Sequence, residues 1–151
     1  MSQPNRGYLA RANMAMRRIV ETRQRWLGEL DQAYEQIGRA PEGIVLGQLG
    51  RIGAQYGTEF ESLARLVAAI DVPPTMVEVH RALTAWVDAL DRACDVLVDA
   101  RMQQDRTLLR RFREQLGSSR MHASSLQTAL AVHGMLMRVD SRRAAVAKKA
   151  A

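Results

Sequence analysis

Apolar positions recur along most of this chain at alternating steps of three and four residues, the spacing that lines up one face of a helix. A first run passes through Leu9, Ala12, Met16, Ile19, Trp26, Leu30, Ala33 and Ile37 and is broken only at Arg23. A second passes through Val45, Leu49, Ile52, Tyr56, Leu63, Leu66 and Ile70, with its one exception at Glu59. A third follows Val79, Leu83, Trp86, Leu90, Ala93 and Leu97, loses the seam over 101–106, and resumes in a shifted phase at Leu108, Phe112 and Leu116. No segment alternates with the two-residue period of a half-buried strand over a useful length. The pattern predicts an all-α protein, most simply an antiparallel four-helix bundle with a long third helix that bends, or overhangs the bundle end, where the phase shifts.

Punctuation between the runs sets the expected boundaries. Asn5 can cap the first helix, and Gly38 stands where a left-handed residue closes it. Pro41 opens the second helix, because a first-turn proline lacks only an amide that the helix would leave unbonded. Asp71-Val72-Pro73-Pro74 is the clearest break, and Thr75 with Glu78 has the spacing of a capping box that would start the third helix near Met76. No glycine or proline follows until Gly117, which implies one long or kinked helix of about 40 residues. Ser118 or Ser119 would cap a fourth helix over 120–139. Residues 1–141 read as a single bundle domain, and 142–151, basic and alanine-rich, as a tail with little to bury.

The second segment carries a further pattern. Gly43, Gly47, Gly50, Gly53 and Gly57 are spaced four, three, three and four apart, so on a helix they fall within an arc of about 120°, with the apolar seam about 130° away. Each interior glycine costs about 1 kcal/mol relative to alanine. Five in one helix imply a close neighbour, either the fourth helix of the same chain or a partner. The two seam exceptions suggest a second contact: if the first two helices form an antiparallel hairpin turning at 38–41, Arg23 and Glu59 lie at similar distances from the turn and could pair.

Charge narrows the picture less than its size suggests. The formal net charge is +6, from 20 arginines and only two lysines; such arginine dominance most simply reflects a genome rich in G and C. The basic pairs are scattered along the chain, whereas a nucleic-acid-binding protein tends to concentrate them. Asp88, Asp91, Asp95 and Asp99 form an acidic stripe opposite the core seam of the third helix, and Arg106, Arg110 and Arg113 a basic stripe further on. Stripes of this kind are most often solvated faces. Their functional reading is that the aspartates receive arginines of another subunit, with Arg11, Arg18 and Arg25, seven residues apart, as the candidates.

Signatures of chemistry are missing. Ligands of the di-iron bundles need three-residue Glu-His spacing to aim both side chains inward; Glu78 and His80 are two apart. His122 and His133 have no ligand-type neighbour at helical spacing, and the serines near His122 lack an elbow and an acid partner. The glycines offer neither the lysine nor the strand of a phosphate-binding loop, and the helix–strand pattern around a KH-type GXXG loop is absent. Cys94, the single cysteine, has no internal disulfide partner and sits in an apolar run, which fits a reducing cytoplasmic setting. No stretch approaches a membrane span, and the first residues lack the apolar run of a signal peptide.

The reading that follows is a non-catalytic helical bundle without a cofactor, acting as an interaction or assembly module. It would associate with its own copies or another helical protein through the glycine face. Two alternatives are nucleic-acid association through Arg110, Arg111, Arg113 and the tail, and a bundle holding a small ligand or metal near His80 or Cys94.

Overall fold

The computed structural model describes residues 2–134. They form four helices, α1 (Gln3–Glu35), α2 (Glu42–Ala68), α3 (Val77–Gln103) and α4 (Leu108–Val132), with a short 3-10 turn at Pro74–Met76. No strand occurs among the described residues, and the expected basic tail at 142–151 lies outside them.

The all-α four-helix bundle predicted from periodicity is what the chain forms. Each helix runs opposite to the next. Glu29 meets Tyr56 and Arg25 meets Glu59 between α1 and α2; Gly53 lies against Leu97 and Gly57 against Cys94 between α2 and α3. Arg81, Asp88 and Arg92 of α3 share a groove with His122, Ser118 and Gln115 of α4. Among the described residues, thirty-three buried ones make one continuous core, with Trp26, Trp86, Tyr8, Phe60 and Phe112 among its largest fully buried side chains.

The ends of the helices follow local chemistry, and several differ from the expected boundaries. α1 starts earlier than an Asn5 cap would place it, because the Ser2 hydroxyl accepts the Asn5 amide at 3.4 Å and Pro4 sits in the first turn, where its missing amide costs nothing. Gly38 turns the chain with φ of +82°, as its position implied. The capping box at Thr75 and Glu78 does not form. The Thr75 hydroxyl donates to Asn5 Oδ1 at 2.7 Å, tying α1 to the α3 entry, and Glu78 takes Arg81 at 2.7 Å instead.

The largest correction concerns the third helix, which is not continuous to Gly117. It ends at Gln103, and Gln104 adopts a left-handed conformation (φ 49°, ψ 44°) normally left to glycine. Its side-chain amide donates to the Arg101 carbonyl, and Asp105 Oδ1 then accepts the Thr107 amide at 2.9 Å and hydroxyl at 2.6 Å, closing the turn. The loss of the seam over 101–106 therefore marks a reversal: past Ala100 there is no core left for the helix to cover. α4 starts at Leu108, so Gly117, Ser118 and Ser119 lie inside it, and Ser119 bonds back to the Leu116 carbonyl at 2.7 Å.

Candidate functional site

The glycine stripe faces α3 of the same chain. A Cβ placed on Gly53 would stand 2.7 Å from the Cys94 carbonyl oxygen and 2.8 Å from Leu97 Cβ, and one on Gly50 would overlap the side chain of Arg101. Gly50 and Gly53 are buried. At the margins the fit relaxes: Gly57 would meet Cys94 Cβ at 3.3 Å, Gly43 would meet Gln104 Oε1 at 3.3 Å, and Gly47 has open space. The middle of the stripe, Gly50 and Gly53, packs against α3 and not against the fourth helix, while Gly47 is left open. Missing side chains let two backbones approach, and this is the use to which the chain puts residues that weaken a helix.

On the opposite flank of α2 the contacts are made by charges and long side chains. Glu59 meets Arg25 at 3.4 Å, in place of the Arg23 expected from the seam, while Arg23 itself is buried. The reason is a phase shift in α2. The buried positions run Tyr56, Phe60, Leu63, Val67, so the core passes through Phe60 and leaves Glu59 beside α1. The same shift moves Leu66 and Ile70 out of the core seam to which periodicity assigned them. Leu66 is 40% exposed and Met14 67% exposed. Together with Ala69 and Ile70 they floor a groove of about 340 Å³ between α1 and α2, flanked by Arg11 and Arg18. A second groove continues it along Arg18, Glu21, Arg25, Glu59 and Ser62. Sequence reasoning named the seven-residue arginine repeat but missed the apolar floor; the signal was Met14, an apolar residue off the seam.

The acidic stripe is gathered against α2. Asp95 and Asp99 are exposed, Asp88 and Asp91 half-buried. Partial burial, reinforced by Asp95, Glu61 of α2 and Asp88, pushes the Asp91 carboxyl up to about 6 against the opposing pull of Arg92. Burial with Asp99 and Glu61 raises Asp95 as well. Asp88 lies on the other side of the ridge, in the groove towards α4. The basic stripe does not join this face. Arg106 borders an apolar pocket at the bundle end with Ile37, Val45, Leu46 and Leu109, Arg110 pairs with Glu114 at 3.6 Å, and Arg113 is exposed near Tyr34.

The residues considered for chemistry are spread apart. His80 Nδ1 and the Tyr8 hydroxyl lie 3.1 Å apart, and burial lowers the His80 pKa. Cys94 is buried beneath the glycine seam, where burial, Asp91 and Asp95 raise its thiol well above the usual range and keep it from ionising. Among the described residues no three histidine, cysteine, aspartate or glutamate side chains are grouped to hold a metal ion, and no helix is long and apolar enough to cross a membrane. No family model, curated protein or solved structure matches this chain.

Proposed function

We propose that this chain is a non-catalytic helical assembly module that associates with copies of itself. The observation that carries the reading is the asymmetry of the two surfaces beside α2. The α1 side presents Arg11 and Arg18 around exposed Met14 and Leu66; the α3 side presents Asp91, Asp95 and Asp99 with Glu61. Each surface is costly alone: the first exposes apolar area between arginines, and the second crowds like charges. Each is the complement of the other, and complementary fields select partner and orientation.

Sedimentation velocity across a concentration series tests this. A mass above that of one chain at tens of micromolar, falling towards the monomer between ~0.05 M and ~0.5 M salt as the charges are screened, is the expected result. A monomer throughout the low-salt series would overturn the proposal.

A further inference from the structure

Independently of self-association, we infer that the segment following α4 folds back into the seam between α1 and α4, where the Asp140 carboxylate lies between Arg120 and Arg23. The way the two helices face each other leads there. Their Cα atoms stay more than 8 Å apart, and at one end of the bundle Phe112 spans the gap, with ring centroids 5.9 Å from Trp26 and 6.4 Å from Tyr34. Arg113 of α4 also lies near Tyr34, so these two residues mark the face that each helix turns to the other. On α4 that face continues two turns on at Arg120 and then at Gln127. On α1 it continues three turns back at Arg23 and then at Met16 and Leu9, all three buried. The helices are antiparallel, so setting Phe112 level with the midpoint of Trp26 and Tyr34 puts Arg120 level with Thr22, next to Arg23.

Two guanidinium groups thus face one seam at one level. Arg23 is 5% exposed, and Arg120 Nε is buried without a hydrogen-bond partner among the described residues. Cations drawn together out of water repel and lose hydration, a cost that a carboxylate placed between them offsets by accepting from both. Neither stripe carries an acid, and the chain beyond α4 supplies one: Asp140 is the only acidic side chain after Glu114. Its reach fits. α4 ends at Val132, and Gly134, with φ of +70°, turns the chain out of the helix. From Arg120 to Gly134 the helix covers about 21 Å, and the stretch from Gly134 to Asp140 spans about 20 Å when extended. The Arg23 side chain leans towards the start of α1, the same end of the bundle, and shortens the gap further. A return along this path lays Met135, Leu136, Met137 and Val139 beside Met16 and Leu9, so the apolar part of the segment meets apolar wall. Beyond Ser141 the chain holds Arg142, Arg143, Lys148 and Lys149 and no acid, which gives the arginines of the seam nothing further to bind.

Amide hydrogen exchange of the full chain, read by mass spectrometry, tests this. Residues 135–140 should exchange about ten-fold or more slowly than a free peptide of the same sequence, while 142–151 exchange at the free-peptide rate. Asp140→Asn and Arg120→Gln should each remove most of that protection. The double variant should lose no more than either alone, the non-additivity expected of two ends of one contact. Arg110→Gln, on the outer face of α4 beside Glu114, should leave the protection as it is. Free-peptide exchange of 135–140 in the native chain, or protection that Asp140→Asn leaves intact, overturns the inference. Protection that appears only as protein concentration rises overturns it too, by placing the segment on a second copy. If 135–140 is unprotected and inorganic phosphate raises the melting temperature of the native chain but not of Arg120→Gln, the seam takes a free anion instead. A chain that stays monomeric with 135–140 protected keeps this inference and loses the assembly reading, so the two fail separately.

Discussion

Helix α2 is held in two different ways on its two flanks. Towards α3 it packs backbone against backbone, with Gly50 and Gly53 buried against Arg101, Cys94 and Leu97. Towards α1 it is held by large rings and long polar side chains: Trp26 of α1 meets Phe60 of α2 edge-on at 5.4 Å between centroids, Glu29 meets Tyr56, and Arg25 meets Glu59. The rings also bridge to α4, whose Cα atoms stay more than 8 Å from those of α1. Phe112 supplies this link, lying perpendicular to Trp26 and stacked on Tyr34. A seam made of absent atoms tolerates no addition, and a seam made of large side chains tolerates no removal. Substitutions should therefore have opposite consequences on the two sides.

The largest effect is expected from removing Trp26, which is fully buried and touches rings of both α2 and α4. Trp26→Ala should cost about 3–5 kcal/mol in denaturant unfolding, because it leaves a cavity where the Phe60 and Phe112 rings now meet the indole. A loss below 1 kcal/mol would show that α1 is held elsewhere. On the other flank Gly53→Ala adds one methyl group and should still cost about 1–3 kcal/mol, since the atom it meets is a main-chain carbonyl that cannot turn aside. Gly47→Ala and Gly117→Ala are the controls. Both glycines are inside helices with nothing within 4 Å of a new Cβ, so each should raise stability by up to about 1 kcal/mol through helix propensity alone. If Gly53→Ala were equally stabilising, the close approach of α2 and α3 would be wrong.

How far these flanks could be read beforehand follows from the range of each signal. Helix content, the Gly38 turn and the need for a neighbour beside the glycines are local properties, repeated every few residues. Which neighbour fills the stripe is not local: α3 lies some forty residues on, and the residue over Gly50 is Arg101, whose type suggests a solvated position. Its long aliphatic stem makes the contact. The reversal at Gln104 was hidden because a glutamine occupies the left-handed position, and only the failing seam marked it. The partner of Glu59 was missed by two residues, because one step of phase between Glu59 and Phe60 decides which face of α2 meets α1. That step also turned Leu66 and Ile70 from apparent core into the floor of the candidate site.

The smallest expected effect concerns charge along the same two flanks. Beside α1 the charges at α2 are opposite, Arg25 with Glu59; beside α3 they are alike, Glu61 with Asp91 and Asp95. The approach permitted by the glycines half-buries the Asp91 carboxyl, and that burial, reinforced by Asp95, Glu61 and Asp88, pushes it up to about 6 from its ordinary 3.8. A folded-state pKa above the unfolded one means that the fold binds this proton more tightly. Asp91 therefore costs no stability at pH values below about 4, and its penalty grows as pH rises through about 6. The group is only half-buried, so screening by solvent keeps the effect modest. Asp91→Asn should raise the melting temperature relative to the native chain at about pH 8, and the difference should fade towards about pH 4. The comparison belongs at protein concentrations below the association range, where no arginine of a second copy can reach the site. A difference that stayed constant with pH would mean that the aspartates are not crowded, and the contrast between the two flanks of α2 would then be one of shape alone.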